Sequence, residues 1–393
     1  MASTLPRRDS RRSPRRSSAL WPLLAAGALT LSGCKPEETP VEDGDKPTPA
    51  LADKVLVVGH RGASALRPEH TLEAYRQAIA DGADIIEPDL VPTKDGVLVA
   101  RHENEISGTT NVSSVAKFAD RKKTKTIDGT QFTGWFTEDF TLAELRELRA
   151  RERIPDVRPD NKRYDDQFLI PTLAEIITLA QEMSASTGRV IPIYPETKHP
   201  TYFQSIGLPL EDRLITALRA NPFTASGAPV YIQSFETTNL KEIRRKIGTS
   251  QPKWLLVQLM EDSPRRPYDL VTVGDPRTYA DLATAAGMKE IATYANAVGP
   301  YKLTIINVDS AGVFQKPSDL VRNAHAEGLL VFPFTFRPEN NFLPTPLKTE
   351  GPATTRHAPG SVREIQTYLR AGIDGFFTDD PAVGRQAVDT YKP

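Results

Sequence analysis

Short β-branched apolar runs alternate with amphipathic helical patterns from Lys54 onward, and this alternation constrains the fold more than any other feature. Strands that alternate with helices predict a parallel sheet, and eight of them predict a single TIM (β/α)8 barrel. The third and sixth runs are weaker patterns, so a doubly wound sheet is the alternative at this point. The predicted strands are residues 55–58, 84–90, 190–194, 230–233, 254–259, 290–294, 329–334 and 375–378.

Residues 107–168 do not show the alternation of strand and helix patterns that the rest of the domain shows. They contain several aromatic residues, the basic cluster Arg121, Lys122 and Lys123, and only one clear helical pattern, at 142–148. A long irregular stretch within a compact domain is usually functional or poorly ordered. We therefore predict an insertion in a loop on the catalytic face of the barrel, and we interpret the basic cluster as a solvated surface.

The N-terminus has the organisation of an export signal. Six arginines precede an apolar run at residues 19–31, which is shorter than the roughly 20 residues needed to span a bilayer. Such a run is typical of a signal peptide. It ends in Leu31-Ser32-Gly33-Cys34, which resembles a bacterial lipobox with the sole cysteine at the position that carries lipid. The alternative is an ordinary signal peptide that contains a cysteine by chance.

Residues 35–53 hold four prolines and six acidic residues, a composition that predicts a disordered tether. The predicted organisation is a lipoprotein signal peptide (1–33), a lipidated Cys34 with its tether (34–53) and a barrel (54–393). We expect an exported protein, attached to the cell envelope through the lipid alone. Cleavage removes six arginines and Asp9, a net of +5, so the charge changes from −1 to −6. This acidic balance excludes nucleic acid as a partner, and no protein partner is implied.

Functional side chains of a TIM barrel lie at the C-terminal ends of its strands. A histidine–arginine pair or two alternating carboxylates would each be structural more often than catalytic. The coincidence of all these groups after predicted strands is what indicates a site. Residues two apart on a strand share a face, which pairs Glu87 with Asp89 and Glu196 with Lys198. The candidate residues are His60, Arg61, Glu87, Asp89, His102, Glu196 and Lys198.

The chemistry of these groups is mutually consistent. Three carboxylates are hard oxygen ligands that suit Ca²⁺ or Mg²⁺ and not zinc, so we expect one divalent cation, with Ca²⁺ preferred. Arginine and lysine suit a phosphate group, and two histidines suit a general base and a general acid. The chain lacks a G-x-S-x-G motif, which disfavours a serine hydrolase.

The run HRGASALRPEHTLEAYRQAIADGADIIEPDL, followed by TKDGVLVARHE, resembles the N-terminal signature of the glycerophosphodiester phosphodiesterases. The resemblance continues through IPTLAEII, IYPETKHP, YIQSFE, FPFTFRPEN and GIDGFFTDDP, and so covers residues 54–393. It is strongest with the longer periplasmic or secreted bacterial subgroup, which carries an insertion after the second catalytic histidine.

The resemblance implies a role for each candidate residue. His60 and His102 would be the acid–base pair, Arg61 and Lys198 would bind phosphate, and Glu69 would orient the site through Arg61 or His60. The metal ligands would be Glu87, Asp89 and Glu196. His70 would cap the helix that begins near Thr71. Gln233 and residues 334–337 would contact the glycerol or a metal-bound water.

The resemblance also implies the reaction, namely hydrolysis of small-molecule glycerophosphodiesters, the deacylated phospholipids, to glycerol 3-phosphate and an alcohol. One alternative is a phosphodiesterase on the same barrel that acts on intact lipids, such as a sphingomyelinase D-like enzyme. The other is a surface lipoprotein that acts mainly as a binding protein, which has no reason to keep seven site residues.

Overall fold

The computed structural model describes residues 54–262 and 264–392. The predicted signal peptide, Cys34 and the predicted tether lie outside the described residues. No helix within these two ranges combines the length and the apolarity that a bilayer crossing requires.

Twelve strands occur among the described residues. Eight strand positions form the barrel, and β2 and β3 share the second of them; β4 pairs antiparallel with β3, and β5 and β6 belong to the insertion. The strands are β1 (Leu56–His60), β2 (Ile85–Glu87), β3 (Asp89–Pro92), β4 (Leu98–Ala100), β5 (Lys123–Ile127), β6 (Thr130–Gly134), β7 (Glu196–Thr197), β8 (Val230–Ser234), β9 (Trp254–Met260), β10 (Ala297–Pro300), β11 (Leu330–Val331) and β12 (Gly375–Thr378).

Thirteen α-helices accompany the strands in the same ranges, and most of the longer ones pack outside the barrel. They are α1 (Leu72–Ala80), α2 (Leu142–Leu145), α3 (Leu173–Thr187), α4 (Pro200–Ser205), α5 (Glu211–Ala220), α6 (Thr237–Ile247), α7 (Tyr268–Thr272), α8 (Tyr279–Leu282), α9 (Ala285–Ala292), α10 (Lys302–Ile305), α11 (Leu320–Ala326), α12 (Ala358–Arg370) and α13 (Pro381–Asp389).

Parallel strands form a closed ring. Strand β1 lies between β12 and β2, and the order β3-β7-β8-β9-β10-β11 continues the ring. Pro88 separates β2 from β3 because proline has no N–H to donate to a ladder, so the two pieces share one barrel position. Parallel bridges between Ile86 and Ile193 and between Phe336 and Thr378 close the remaining gaps. The predicted TIM barrel is confirmed.

The barrel interior is filled by aromatic side chains. Tyr194 stacks on Tyr231 with ring centroids 4.9 Å apart, and Phe332 and Phe377 meet Tyr194 edge to face. A larger apolar cluster lies between the strands and the surrounding helices. Burial of each such large apolar side chain contributes about 1.5–3 kcal/mol. The interior is therefore a packed core, and the open space lies above it, at the strand ends.

Two of the eight barrel strands lie at other residues than the sequence predicted. Residues 290–294 were predicted as a strand, but Glu290 lies in α9, and the sixth barrel strand is β10. Met288, Ile291 and Ala292 are buried at helical spacing, and the Thr284 hydroxyl caps α9 by accepting from the Gly287 N–H at 3.1 Å. The third strand was predicted at 190–194, where Ile193 forms only isolated bridges, and the regular strand is β7.

The insertion follows β4, which runs antiparallel to β3. Its hairpin of β5 and β6 turns at Asp128 and Gly129, whose φ values of 48° and 78° suit a two-residue hairpin turn. The turn is attached to the barrel, because Nδ1 of His199, just beyond β7, lies 2.5 Å from Oδ2 of Asp128. The hairpin therefore stands over the C-terminal ends of the strands and forms one wall of the cavity described next.

Candidate active site

A cavity of about 1010 Å³ opens at the C-terminal ends of the barrel strands. One side is lined by charged and histidine side chains from β1, β2 and β7 and from the segment after β4. Four aromatic side chains also line the cavity, namely Phe235, Tyr279, Tyr301 and Phe334. Such a cavity offers a polar site for an anion beside an apolar surface for the rest of a small ligand.

Three buried carboxylates converge at the base of the charged side. Glu87 ends β2 and Asp89 begins β3. Glu196 begins β7, the strand next to β3, and lies directly opposite Asp89. One oxygen from each carboxylate lies within 4.8 Å of the other two. Pro88 places Glu87 and Asp89 two residues apart, on one face, as the sequence predicted. The structure brings the predicted ligands together in a group that can hold a metal ion.

The electrostatics of the three carboxylates fit a cation. Burial and the adjacent Asp89 raise the pKa of Glu87 well above its usual value. Burial also raises the pKa of Glu196 to about 8, against the effect of Lys198. Burial opposes ionisation of Asp89 too, but His70 and Lys198 outweigh it and hold the pKa of Asp89 well below its usual value. Asp89 Oδ1 is buried with no hydrogen-bond partner, and such an oxygen is a natural ligand for a hard cation.

Hydrogen bonds fix the carboxylates from behind. Gln233 Nε2 donates to Glu87 Oε1 at 2.9 Å, and the Arg61 N–H donates to Glu87 Oε2 at 2.7 Å. His70 Nε2 lies 3.0 Å from Asp89 Oδ2. The predicted capping role of His70 is wrong, because the cap of α1 is Thr71, whose hydroxyl accepts from the Ala74 N–H at 3.1 Å. A short threonine oxygen reaches the first turn of a helix, whereas the imidazole of His70 turns inward to Asp89.

His60 stands at the end of β1 and lines the cavity. Its Nδ1 lies 2.5 Å from Oδ1 of Asp379, which directly follows β12. Burial and, next, the charge of Arg61 lower the pKa of His60 to about 4, against the effect of Asp379. Sequence reasoning missed Asp379, although its position immediately after a predicted strand was the signal that could have identified it.

His102 follows β4 and also lines the cavity. Its Nδ1 is hydrogen-bonded to the carboxylate of the adjacent Glu103. Burial, followed by the charges of Arg61 and Lys198, lowers the pKa of His102 well below its usual value. Burial therefore favours the neutral form of both histidines, and each has a carboxylate partner on the same ring nitrogen.

Two cations flank the carboxylates. Arg61 has a φ of 59° and turns its side chain into the site, where Nη1 donates to Glu69 Oε2 at 3.0 Å. Its Nε lies 3.6 Å from Asp89 Oδ2 and has no hydrogen-bond partner. Lys198 Nζ lies 2.8 Å from Glu196 Oε1. Arg61 and Lys198 both line the cavity, and Glu69 contacts Arg61 as expected.

Three further features lie at the edge of the site or outside it, namely the 334–337 segment, the basic cluster, and His325, a histidine that belongs to no site motif. Arg337, from the 334–337 segment, lines the cavity and donates from Nε to Asp379 Oδ2 at 2.9 Å. His325 lies on α11 and pairs with Asp374 at 2.9 Å, outside the cavity lining. In the basic cluster, Arg121 pairs with Glu144 at 2.6 Å, away from the cavity. Sequence reasoning also missed Arg153 and Arg158, which lie in the irregular insertion and have no strand pattern to mark them.

Comparison with known proteins gives a consistent result. The model of the glycerophosphoryl diester phosphodiesterase family matches residues 60–383. A glycerophosphodiester phosphodiesterase of Arabidopsis thaliana is 34% identical over 344 residues, covering 84% of this chain and 85% of its own length. One from Haemophilus influenzae is 29% identical over 392 residues, covering 94% of this chain and 98% of its own length.

The fold has relatives among solved structures. A phosphodiesterase of Oleispira antarctica, determined in complex with the product sn-glycerol-3-phosphate, matches with a TM-score of 0.54. The match covers 85% of this chain and 97% of that one at 17% identity, so the likeness concerns the fold.

Proposed function

The chain belongs to the glycerophosphoryl diester phosphodiesterase family and hydrolyses glycerophosphodiesters to glycerol 3-phosphate and an alcohol, and we propose that His60 and His102 transfer the two protons of this reaction. The observation that carries the proposal is the symmetry of the two rings. Each has a carboxylate on Nδ1, from Asp379 or Glu103, and each lines the same cavity as the acidic group.

A carboxylate on Nδ1 keeps the proton of a neutral imidazole on that nitrogen and leaves the lone pair on Nε2. His60 is the better enclosed ring, and we assign it as the base that deprotonates the nucleophile. The His102 side chain is 29% exposed, against 9% for His60, and we assign it as the acid on the side where the alcohol leaves. A bound phosphate adds negative charge beside His102, which raises the pKa of that ring towards the value an acid needs.

Arg61 and Lys198 bind the phosphate group in this proposal. Both are buried cations that line the cavity. An arginine fork matches the geometry of phosphate oxygens, and lysine adds a point charge. Negative charge that develops on the phosphate oxygens during the reaction is stabilised by these fixed donors.

We propose that Glu87, Asp89 and Glu196 hold one divalent cation, with Ca²⁺ preferred to Mg²⁺. Three ionised carboxylates and a phosphate carry more negative charge than Arg61 and Lys198 balance. Such a cation supplies Lewis acidity to a phosphate oxygen when it is bound. Ca²⁺ accepts variable numbers of oxygen ligands, whereas Mg²⁺ demands near-ideal octahedral geometry.

We also propose that the enzyme is exported and anchored by lipid on Cys34, with the barrel held away from the membrane by the tether. The support is the sequence of the first 53 residues: the arginine-rich start, the short apolar run, the lipobox-like segment and the proline-rich acidic stretch.

The acid–base roles are tested with His60→Ala and His102→Ala, and with His325→Ala as the matched control. The two site variants should each lose about 10²–10⁴ in turnover of glycerophosphocholine with an unchanged circular dichroism spectrum, while the control keeps its rate. With a glycerol phosphodiester of 4-nitrophenol, loss of the acid should matter far less than loss of the base. Near-normal turnover by either site variant would overturn the assignment.

A further inference from the structure

Two arginines of the insertion, Arg153 and Arg158, contact the carboxylates on which the two histidines depend. They lie five positions apart in the segment between the hairpin and α3, and neither belongs to a barrel strand. Both carry several charge-assisted hydrogen bonds to side chains of the site.

Arg158 serves the His60 side. Its side chain is 6% exposed, and Nη2 donates to Asp379 Oδ2 at 2.6 Å, while Oδ1 of the same carboxylate holds His60. Its Nε donates to Glu339 Oε1 at 2.7 Å, and its Nη1 donates to the carbonyl oxygen of Ser64 at 2.9 Å. The Ser64 hydroxyl in turn donates to the carbonyl oxygen of His60 at 2.9 Å. Arg158 therefore fixes both the carboxylate partner of His60 and the turn that follows it.

Arg153 serves the His102 side. Its Nη1 and Nη2 donate to Glu103 Oε1 and Oε2 at 2.9 and 2.7 Å, a two-bond fork on the carboxylate that holds His102. Its Nε and Nη2 donate to Glu69 at 2.7 and 2.6 Å. Since Glu69 also accepts from Arg61, one guanidinium orients the second histidine and a phosphate ligand together.

The backbone between the two arginines is rigidly bonded. The Ile154 N–H donates to Glu152 Oε1 at 2.9 Å, and the Arg158 N–H donates to the carbonyl oxygen of Ile154 at 2.9 Å. Asn161 Nδ2 donates to Glu152 Oε2 at 2.8 Å and ties the same turn to the next one. Both guanidinium groups therefore extend from one hydrogen-bonded turn.

We propose that Arg153 and Arg158 are positioning residues through which the insertion aligns the two catalytic histidines, Arg158 through Asp379 and Arg153 through Glu103. The physical reason is specific to the guanidinium group. Its planar fork bonds two carboxylate oxygens at fixed angles, which a lysine of equal charge does not reproduce. Partners that orient a site group from behind typically contribute about 10–100-fold in activity. The proposal rests on the acid–base roles given above for His60 and His102.

The test uses Arg153→Lys and Arg158→Lys, each alone and combined with His60→Ala or His102→Ala. Arg151→Lys is the matched control, because Arg151 lies on the same segment and forms an equivalent fork with Asp166, at 2.7 and 2.8 Å, on the surface. We expect each single site variant to lower kcat for glycerophosphocholine by about 10–100-fold and the control to leave it unchanged.

The decisive readout is non-additivity. Arg158→Lys should cost less than about twofold further once His60 is removed, but should keep its full cost beside His102→Ala. Arg153→Lys should keep its full cost beside His60→Ala and should cost less beside His102→Ala, where only its effect on Arg61 through Glu69 remains. It should also lower turnover of the choline ester more than that of the 4-nitrophenol ester, whereas Arg158→Lys should lower both equally. A general structural role would reduce both substrates equally and multiply in every combination, and that outcome overturns the inference.

A second set of variants covers the case in which a lysine variant fails to fold. Asp379→Asn and Glu103→Gln keep the side-chain shapes, and the same crosses with the histidine variants apply to them. Additive losses in all four combinations would again reject the coupling. Full activity of the two single histidine variants would reject the proposed function instead, so the two failures are distinguishable.

Discussion

Nε2 of His70 lies 3.0 Å from Oδ2 of Asp89, and the other ring nitrogen of His70 lies 2.8 Å from the hydroxyl of Tyr75. The imidazole is completely buried. It is therefore a bridge between α1 and β3, and it leaves the second oxygen of Asp89, Oδ1, free for the cation. Because His70 holds Oδ2 in place, it also orients Oδ1, in the same way that hydrogen-bond partners of metal ligands orient them in other metal sites.

We predict that His70→Ala weakens binding of Ca²⁺ by about 10–100-fold, because Asp89 loses its orienting partner. The measurement is isothermal titration of the metal-depleted protein with Ca²⁺. Tyr75→Phe is the control, since it removes only the outer hydrogen bond and should weaken binding much less. Equal Kd values for His70→Ala and the parent would show that Asp89 is oriented without the imidazole.

Removal of divalent cations should abolish hydrolysis, and addition of Ca²⁺ should restore it. The bound cation should also raise Tm, because a ligand that prefers the native state stabilises it, by about 2.7 kcal/mol at a concentration of 100 Kd. Glu87→Gln and Asp89→Asn should lower the affinity and recover part of the activity at high Ca²⁺. Full activity after exhaustive chelation would refute the metal assignment.

Glu236→Gln provides the matched control for those substitutions. Glu236 lines the same cavity, but its carboxylate accepts hydrogen bonds from Thr201 and belongs to no ligand group. Burial raises the pKa of Glu236 to about 8 and so favours the neutral carboxyl group, which glutamine resembles. This variant should keep the metal affinity and the turnover of the parent.

The contribution of His60 to stability in the absence of metal should fall as the pH is lowered from about 6.5 towards 4. Burial lowers the pKa of His60 from 6.5 to about 4, so between these values the unfolded chain binds the extra proton. The contribution of His60 is fully present above pH 6.5 and is lost as the pH falls through 4. In His60→Gln the slope of the free energy of unfolding against pH should be lower than that of the parent between these pH values, by up to about 1.4 kcal/mol per unit. Urea unfolding in chelator at several pH values measures the slopes, and parallel curves would contradict the prediction.

Cys34→Ala should abolish incorporation of labelled palmitate in the bacterial host and leave the protein unanchored. A second variant that lacks residues 35–53 should keep the lipid and the catalytic rate, because the tether contributes no site residue. Palmitate labelling that persists in Cys34→Ala would show that the lipid is attached to another residue and would refute the assignment to Cys34.

The barrel was predictable because its strands carry local signals. The run at 375–378 matches β12 residue for residue, and the run at 230–233 matches the first four residues of β8. Residues 290–294 misled because five mainly apolar residues fit either a strand or the end of a helix. The capping threonine of α9, six residues earlier, decided between the two.

The site residues were likewise predictable only where a local feature of the sequence marks them. His60, Glu87 and Glu196 were identifiable because each ends or begins a strand, and strand ends converge in a barrel. Arg153 and Arg158 were not identified, because their partners are set by the fold and not by spacing, whereas Asp379 was overlooked although it directly follows a predicted strand. Arg158 and Asp379 are 221 residues apart, and Arg153 and Glu69 are 84 apart. Long-range ion pairs of this kind leave no periodic pattern.

Strand β1 pairs along its length with β12, and His60 finds its carboxylate 319 residues later in the chain. The ribosome makes the histidine near the start of the domain and the aspartate almost at its end. Completion of the ring and alignment of the histidine are consequently one event, and a partly synthesised chain has neither. The reactive geometry of His60 therefore requires that the last strand of the barrel has docked beside the first, and a chain that stops before β12 cannot align this histidine.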